Sequence, residues 1–139
     1  MTDRAARALS LFDAWERRDY GAVMEHMAKG ALVKDAPRGL VLGDPSDVRD
    51  WFESWVTACP DATAGATVPV ASTDGAVVQG VYVGTNTGPF GPLPATGRAV
   101  SMPFAIVIRF DAAGRVTEYS VYYDQLTLLT QLGHAPALA

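Results

Sequence analysis

Two runs near the end of the chain restrict its fold more than anything else in it. SMPFAIVIRF (Ser101 to Phe110) and VTEYSVYYD (Val116 to Asp124) are rich in Val, Ile, Phe and Tyr, and the turn-forming segment DAAGR (Asp111 to Arg115) separates them. β-branched and aromatic residues suit a pleated, half-buried surface, so the pair predicts a long antiparallel hairpin. Asp124 then stands at the end of the second strand, where a carboxylate following eight sheet-forming residues is the most conspicuous polar group in the chain. The upstream residues read as wall and lid of a pocket into which Asp124 points.

The segments before the hairpin alternate helix and loop. Thr2 or Asp3 can cap a first helix, in which Ala5, Ala8, Leu9, Phe12 and Trp15 recur at three- and four-residue spacing. A short second helix carries Val23, Met24 and Met27 and stops at Lys29-Gly30, and a brief strand spans Ala31 to Asp35. Asp44-Pro45 predicts the start of a third helix, whose Val48, Trp51, Phe52 and Trp55 form one apolar stripe before Cys59-Pro60 ends it. Ala62 to Ala71 and Ala76 to Asn86 read as two further strands joined by the turn STDG. Gly88 to Gly97, with prolines at 89, 92 and 94, is a stiff rim loop. Helices followed by a four-stranded antiparallel meander predict an α+β fold with the helices on one face of a curved sheet.

At 139 residues the chain fits one domain, 1–139, with enough apolar residues for a core of its own. The formal net charge is −4 and no basic face is visible, which argues against nucleic acid as a partner. One cysteine, Cys59, cannot form an internal disulfide. MTDRAARALSLF intersperses charge among apolar residues, so neither a signal peptide nor a membrane span is expected there, and the default location is cytoplasmic.

The order of elements, MAKGALVKDAPRG (Met27 to Gly39), GPFGPLPATGR (Gly88 to Arg98) and RVTEYSVYYDQLTLLTQLG (Arg115 to Gly133) together resemble the SnoaL-like polyketide cyclases of the NTF2-like superfamily. The resemblance implies a cone in which a bent, mainly antiparallel sheet and three N-terminal helices enclose an apolar pocket. It implies a homodimer packed through the outer sheet face and a small apolar or polycyclic substrate. It also implies intramolecular aldol ring closure of an aromatic polyketide intermediate without metal or organic cofactor.

Within that frame Asp124 resembles the cyclases' acid/base carboxylate; the competing reading is a cap for a helix over Gln125 to Leu132. Strand alternation puts Glu118, Ser120, Tyr122 and Asp124 on one face and Thr117, Tyr119, Val121 and Tyr123 on the other. If Asp124 faces the pocket, Ser120 and Tyr122 do too, Tyr122 as an enolate holder, and Tyr119, Val121 and Tyr123 cover the outside. Asp35 resembles the position of the base in ketosteroid isomerases, and alternatively makes an Asx-turn before Pro37. Trp51, Phe52 and Trp55 read as aromatic wall for a flat ligand or as plain core, and Phe90 and Phe104 as further substrate contacts. His26 and His134 lack partners at metal-ligand spacing and read as solvated.

Three alternatives stay open. Phe104 to Phe110 offers only Arg109 where a steroid isomerase needs an acid. An epoxide hydrolase would need Asp35, Asp124 and Arg109 to converge on one water. A non-catalytic small-molecule binder is the third.

Overall fold

The computed structural model describes residues 3–136. Helix α1 (Asp3–Glu16) buries Ala5, Ala8, Leu11, Phe12, Ala14 and Trp15 as a single stripe. Asp3 is itself helical, and Thr2, the other candidate cap, lies outside the described residues. Helix α2 (Tyr20–Glu25) is capped by Asp19, whose carboxylate accepts from Ala22 N. It ends before Met27, which opens strand β1 (Met27–Asp35) rather than continuing the helix, so this strand is longer than Ala31 to Asp35.

A 3₁₀ turn (Ala36–Arg38), with proline in its first positions and Gly39 left-handed at φ 66°, swings the chain into the short β2 (Leu40–Leu42). Helix α3 (Pro45–Ala58) follows, with Asp44 accepting from the backbone of Ser46 and Asp47 as its N-cap. Strands β3 (Val70–Ala71), β4 (Gly75–Thr85), β5 (Ala99–Phe110) and β6 (Val116–Tyr123) precede the C-terminal helix α4 (Gln125–Leu132).

The sheet order is β2-β1-β6-β5-β4-β3. The hairpin between β5 and β6 forms in the expected place, and β4 pairs antiparallel with β5 over its full length. Two departures matter. Strand β1 runs parallel to β6, bringing Val33 opposite Tyr119 and Asp35 opposite Val121, so the sheet is mixed and six-stranded rather than a four-stranded meander. The stretch expected as a strand over Ala62 to Ala71 forms only Val70–Ala71 and an isolated bridge from Thr63 to Val83. Gly65 at φ 52° and Pro69 interrupt it, because neither continues a regular ladder.

The rim loop is anchored by Asn86, which is 1% exposed. Its amide nitrogen donates to Ala58 O and Gly88 O, and its oxygen accepts from Thr96 N. His134 packs on the same loop, with Nε2 3.1 Å from Pro94 O, and is half-buried rather than solvated. His26 is likewise half-buried.

Apolar residues of α1, α3 and the inner sheet face form one core, from Leu11 and Trp15 through Trp51 and Phe52 to Ile106, Ile108 and Tyr119. No helix among the described residues is long and apolar enough to cross a membrane.

Candidate active site

Between α1, α3 and the sheet lies an apolar cavity of ≈ 60 Å³. Leu11, Phe12 and Trp15 line it from α1; Trp51, Phe52 and Trp55 line it from α3. The sheet contributes Tyr82, Met102, Phe104, Ile106, Tyr119, Val121 and Tyr123. The tryptophan stripe of α3 is therefore both core and pocket wall, since its buried face is also the face that borders the space. The rings meet edge to face, Trp51 with Tyr119 at 5.8 Å and Trp55 with Tyr123 at 5.4 Å between centroids.

Behind this aromatic wall lies Asp35, with no exposed surface. It ends β1 on the face turned toward the helices, and the 3₁₀ turn folds Arg38 back over it. Arg38 Nε donates to Asp35 Oδ2 at 2.7 Å. Arg38 Nη2 is also 2.7 Å from that oxygen but too poorly aligned to hydrogen-bond. Trp51 Nε1 donates to Oδ2 at 3.0 Å, and the Tyr123 hydroxyl donates to Oδ1 at 2.9 Å. The guanidinium lies over two rings, 5.5 Å from the centroid of Trp55 and 5.1 Å from that of Phe90.

A carboxylate buried this deeply needs a countercharge and hydrogen bonds to remain charged, and here one turn and two facing aromatic residues supply both. Tyr123 links the two compartments, because its ring borders the cavity while its hydroxyl reaches Asp35. Burial, with the adjacent Asp35 charge second, holds the Tyr123 phenol well above its ordinary pKa. Tyr119 is raised by burial alone, and Tyr82 mainly by burial, its hydroxyl donating to Trp55 O at 2.5 Å.

The expected placement of the last strand is corrected by one residue in phase. Tyr119, Val121 and Tyr123 face the cavity, opposite Ile108, Ile106 and Phe104 of β5. Tyr122 is 50% exposed on the outer face. Ser120, although largely covered, pairs with Lys34 and lies outside the cavity lining. Asp124 lies past the end of β6 and is exposed; Oδ1 accepts from Leu126 N and Thr127 N, and Oδ2 from the Thr127 hydroxyl. Those bonds, led by the Thr127 hydroxyl, hold its carboxyl below the usual range. Asp124 is thus the N-cap of α4 and does not enter the pocket, because the chain turns into the helix before its side chain can point inward.

The remaining candidates divide. Phe104 lines the cavity; Phe90 does not but packs on Trp55 at 5.2 Å and covers Arg38. Arg109 is exposed and faces Asp74 and Glu118, so it does not converge with Asp35 and Asp124 as an epoxide hydrolase would require. Among the described residues, no three His, Cys, Asp or Glu side chains cluster as a metal site would need.

Reading the chain by residue type missed Arg38 and Tyr123. The signal for Tyr123 was present: Tyr119, Val121 and Tyr123 form the more apolar face of β6, and the more apolar face of a one-sided sheet turns inward. For Arg38 the local signal was its place three residues after Asp35, but the aromatic pair that α3 and the rim loop bring over it is not encoded nearby.

A family model described as SnoaL-like polyketide cyclase matches residues 5–132. Comparison with curated proteins finds no match. Among solved structures, the chain is similar to a SnoaL-like candidate polyketide cyclase from Jannaschia sp. CCS1, with 20% identity, TM-score 0.85, and 96% and 93% of the two chains covered. It is similar to IdmH, a candidate polyketide cyclase from Streptomyces antibioticus, at 24% identity and TM-score 0.79 over 95% and 99% of the chains. An NTF2-like protein of unknown function from Burkholderia pseudomallei matches at 17% identity and TM-score 0.79 over 95% and 98%. At these identities the likeness carries the α+β, NTF2-like fold and no chemistry.

The buried phenols make a pH prediction. Because Tyr82, Tyr119 and Tyr123 have raised pKa values in the fold, the native state binds more phenolic protons than the unfolded chain above about pH 10. Their contribution to stability is fully present below that pH and is lost as pH rises beyond it. In an alkaline titration followed by near-ultraviolet phenolate absorbance, these tyrosines should ionise together with unfolding. Their ionisation around pH 10 in a still-folded protein would contradict the burial described.

Proposed function

The chain belongs to the SnoaL-like polyketide cyclase family, and on that premise we propose that it catalyses cofactor-independent intramolecular aldol ring closure of an aromatic polyketide intermediate, with Asp35 and Tyr123 as its acid/base pair. The observation that carries this reading is the 2.9 Å hydrogen bond from the Tyr123 hydroxyl to Asp35 Oδ1 at the cavity wall.

In the proposed step, a carbon between two carbonyl groups of the substrate gives its proton to the Tyr123 oxygen as the phenolic proton passes to Asp35. The C–H electron pair becomes the enolate. The enolate carbon then attacks a second carbonyl of the same molecule, a C–C bond forms, and the new alkoxide takes a proton back from Tyr123 as Asp35 returns the other. Atoms and charge balance with no further reactant. Arg38 and Trp51 hold the carboxylate in place, and the apolar sleeve folds the substrate so that the reacting carbons meet.

The cavity's ≈ 60 Å³ is well below the roughly 300–1,000 Å³ usual for small-molecule pockets. A ring-bearing substrate therefore enters by displacing wall side chains, of which Phe104 and Tyr123 are half-buried and the rest buried.

A non-catalytic binder is the second reading. Asp35's engagement by Arg38, Trp51 and Tyr123 favours it, since a carboxylate so fully paired can serve as structure alone.

Solvent deuterium uptake at the acidic carbon of 2-tetralone, together with ring closure of a cyclisable poly-β-ketone, separates the readings. Asp35→Asn and Tyr123→Phe should each lower the rate by about 10²- to 10⁴-fold in protein shown to be folded. Asp124→Asn should leave it unchanged, because asparagine caps a helix as well as aspartate. Loss of activity in Asp124→Asn with Asp35→Asn intact would overturn the assignment, and no activity in the wild type would favour the binder.

Val77, Val81, Val83 and Tyr122 are exposed on the outer sheet face, and we propose that a second copy covers them in a homodimer. This role passes to them from Tyr119, Val121 and Tyr123, which are spent on the cavity. Light scattering should return twice the chain mass of 14.7 kDa. A monomer at micromolar concentration would contradict it.

A further inference from the structure

We propose that Trp55 Nε1 is an open hydrogen-bond donor for a ligand oxygen, so that the cavity selects flat compounds bearing a carbonyl or enolate oxygen over hydrocarbons of the same shape. This deepens the polyketide reading of the cavity and rests on it.

Trp55 Nε1 is a buried side-chain nitrogen with no hydrogen-bond acceptor among the described residues, whereas Arg38 Nη2, likewise without an aligned hydrogen bond, is held 2.7 Å from Asp35 Oδ2 as an ion pair. They belong to neighbouring side chains, the guanidinium carbon lying 5.5 Å from the Trp55 ring centroid. The contrast with the other tryptophans is specific. All three are 7% exposed, yet Trp15 Nε1 donates to Phe52 O and Trp51 Nε1 to Asp35, each at 3.0 Å. Burying a donor without an acceptor is costly, and buried polar groups in folded proteins are nearly always paired. Trp55 differs from Trp15 in touching every donor to Asp35: its ring meets those of Trp51 and Tyr123 and the Arg38 guanidinium. It also borders the cavity.

The chemistry of the missing acceptor follows from its surroundings. Asp35 already balances the Arg38 charge, so Trp55 Nε1 offers a donor in surroundings without net positive charge. That suits a neutral carbonyl or a delocalised enolate better than a carboxylate or phosphate. The remaining wall is aromatic and aliphatic, which suits a flat hydrocarbon frame. Placed there, a substrate oxygen would be held next to the Tyr123–Asp35 pair, making Trp55 a positioning residue for the proposed reaction.

The test uses ¹⁵N-labelled protein and two bicyclic probes, 2-tetralone and the hydrocarbon tetralin. The three indole N–H signals are assigned by their loss in single Trp→Phe variants. In the free protein the Trp55 signal should lie upfield of the two hydrogen-bonded indoles; 2-tetralone should move it downfield, and tetralin should not. Replacing Trp55 with 3-benzothienylalanine keeps the bicyclic shape and removes the N–H. That variant should be at least as stable as the wild type, yet bind 2-tetralone roughly 2- to 10-fold more weakly, the range of one neutral hydrogen bond. A merely structural tryptophan would instead lose stability and keep its affinity.

A Trp55 signal unmoved by bound 2-tetralone, equal affinity in the variant, or no binding of either probe would overturn the proposal. None of these readouts needs turnover. The donor site can therefore fail while Asp35→Asn still abolishes exchange, and it can hold in a protein that only binds.

Discussion

A single buried carboxylate fixes the relation between the sheet, the third helix and the rim loop. Asp35 has no contact with solvent, so its charge is tolerable only if the fold delivers partners to it. Three separate parts of the chain do so: the 3₁₀ turn brings Arg38, α3 brings Trp51, and the end of β6 brings Tyr123. Removing one partner of such a pair typically costs about 3–5 kcal/mol, because the other charge stays buried. The parallel pairing of β1 with β6 is the step that makes this meeting possible, since it sets Asp35 opposite Val121, two residues before Tyr123.

The same arrangement connects the cavity to the buried cluster. The wall is aromatic and aliphatic, and two of its residues reach the carboxylate, Tyr123 through its hydroxyl and Trp51 through its indole N–H. A low-dielectric space with one phenol backed by one anion has the elements that proton abstraction from an acidic carbon requires: a path for the proton, a place for it to rest, and little water to compete. The tryptophans around it serve packing and recognition together, because the ring faces that fill the core are those that border the space.

Much of the fold was legible in the sequence. The β5–β6 hairpin and the Asp44-Pro45 start of α3 each follow from local residue chemistry. The site was legible only in part. Asp35 and the α3 stripe were identifiable by type, but Asp124 drew attention as a strand-end carboxylate when the residues after it, Gln125 to Leu132, already described the helix it caps. Placing Asp124 in the pocket inverted β6, sending Tyr122 inward and Tyr123 outward, whereas the more apolar set of the strand was the better guide. The parallel β1–β6 pairing and the Arg38–Phe90 contact join residues far apart in the chain, and no local pattern encodes them.

Action of Asp35 on the cavity through Tyr123 is tested most directly by the solvent isotope effect on proton abstraction. If the phenolic proton moves to Asp35 as the substrate's carbon-bound proton moves to Tyr123, then kcat/KM for exchange at the acidic carbon should be slower in D₂O than in H₂O. The effect should vanish in the residual activity of Tyr123→Phe. A solvent isotope effect of unity in the wild type, or one that survives Tyr123→Phe unchanged, would contradict the relay and remove Tyr123 from the path of the proton.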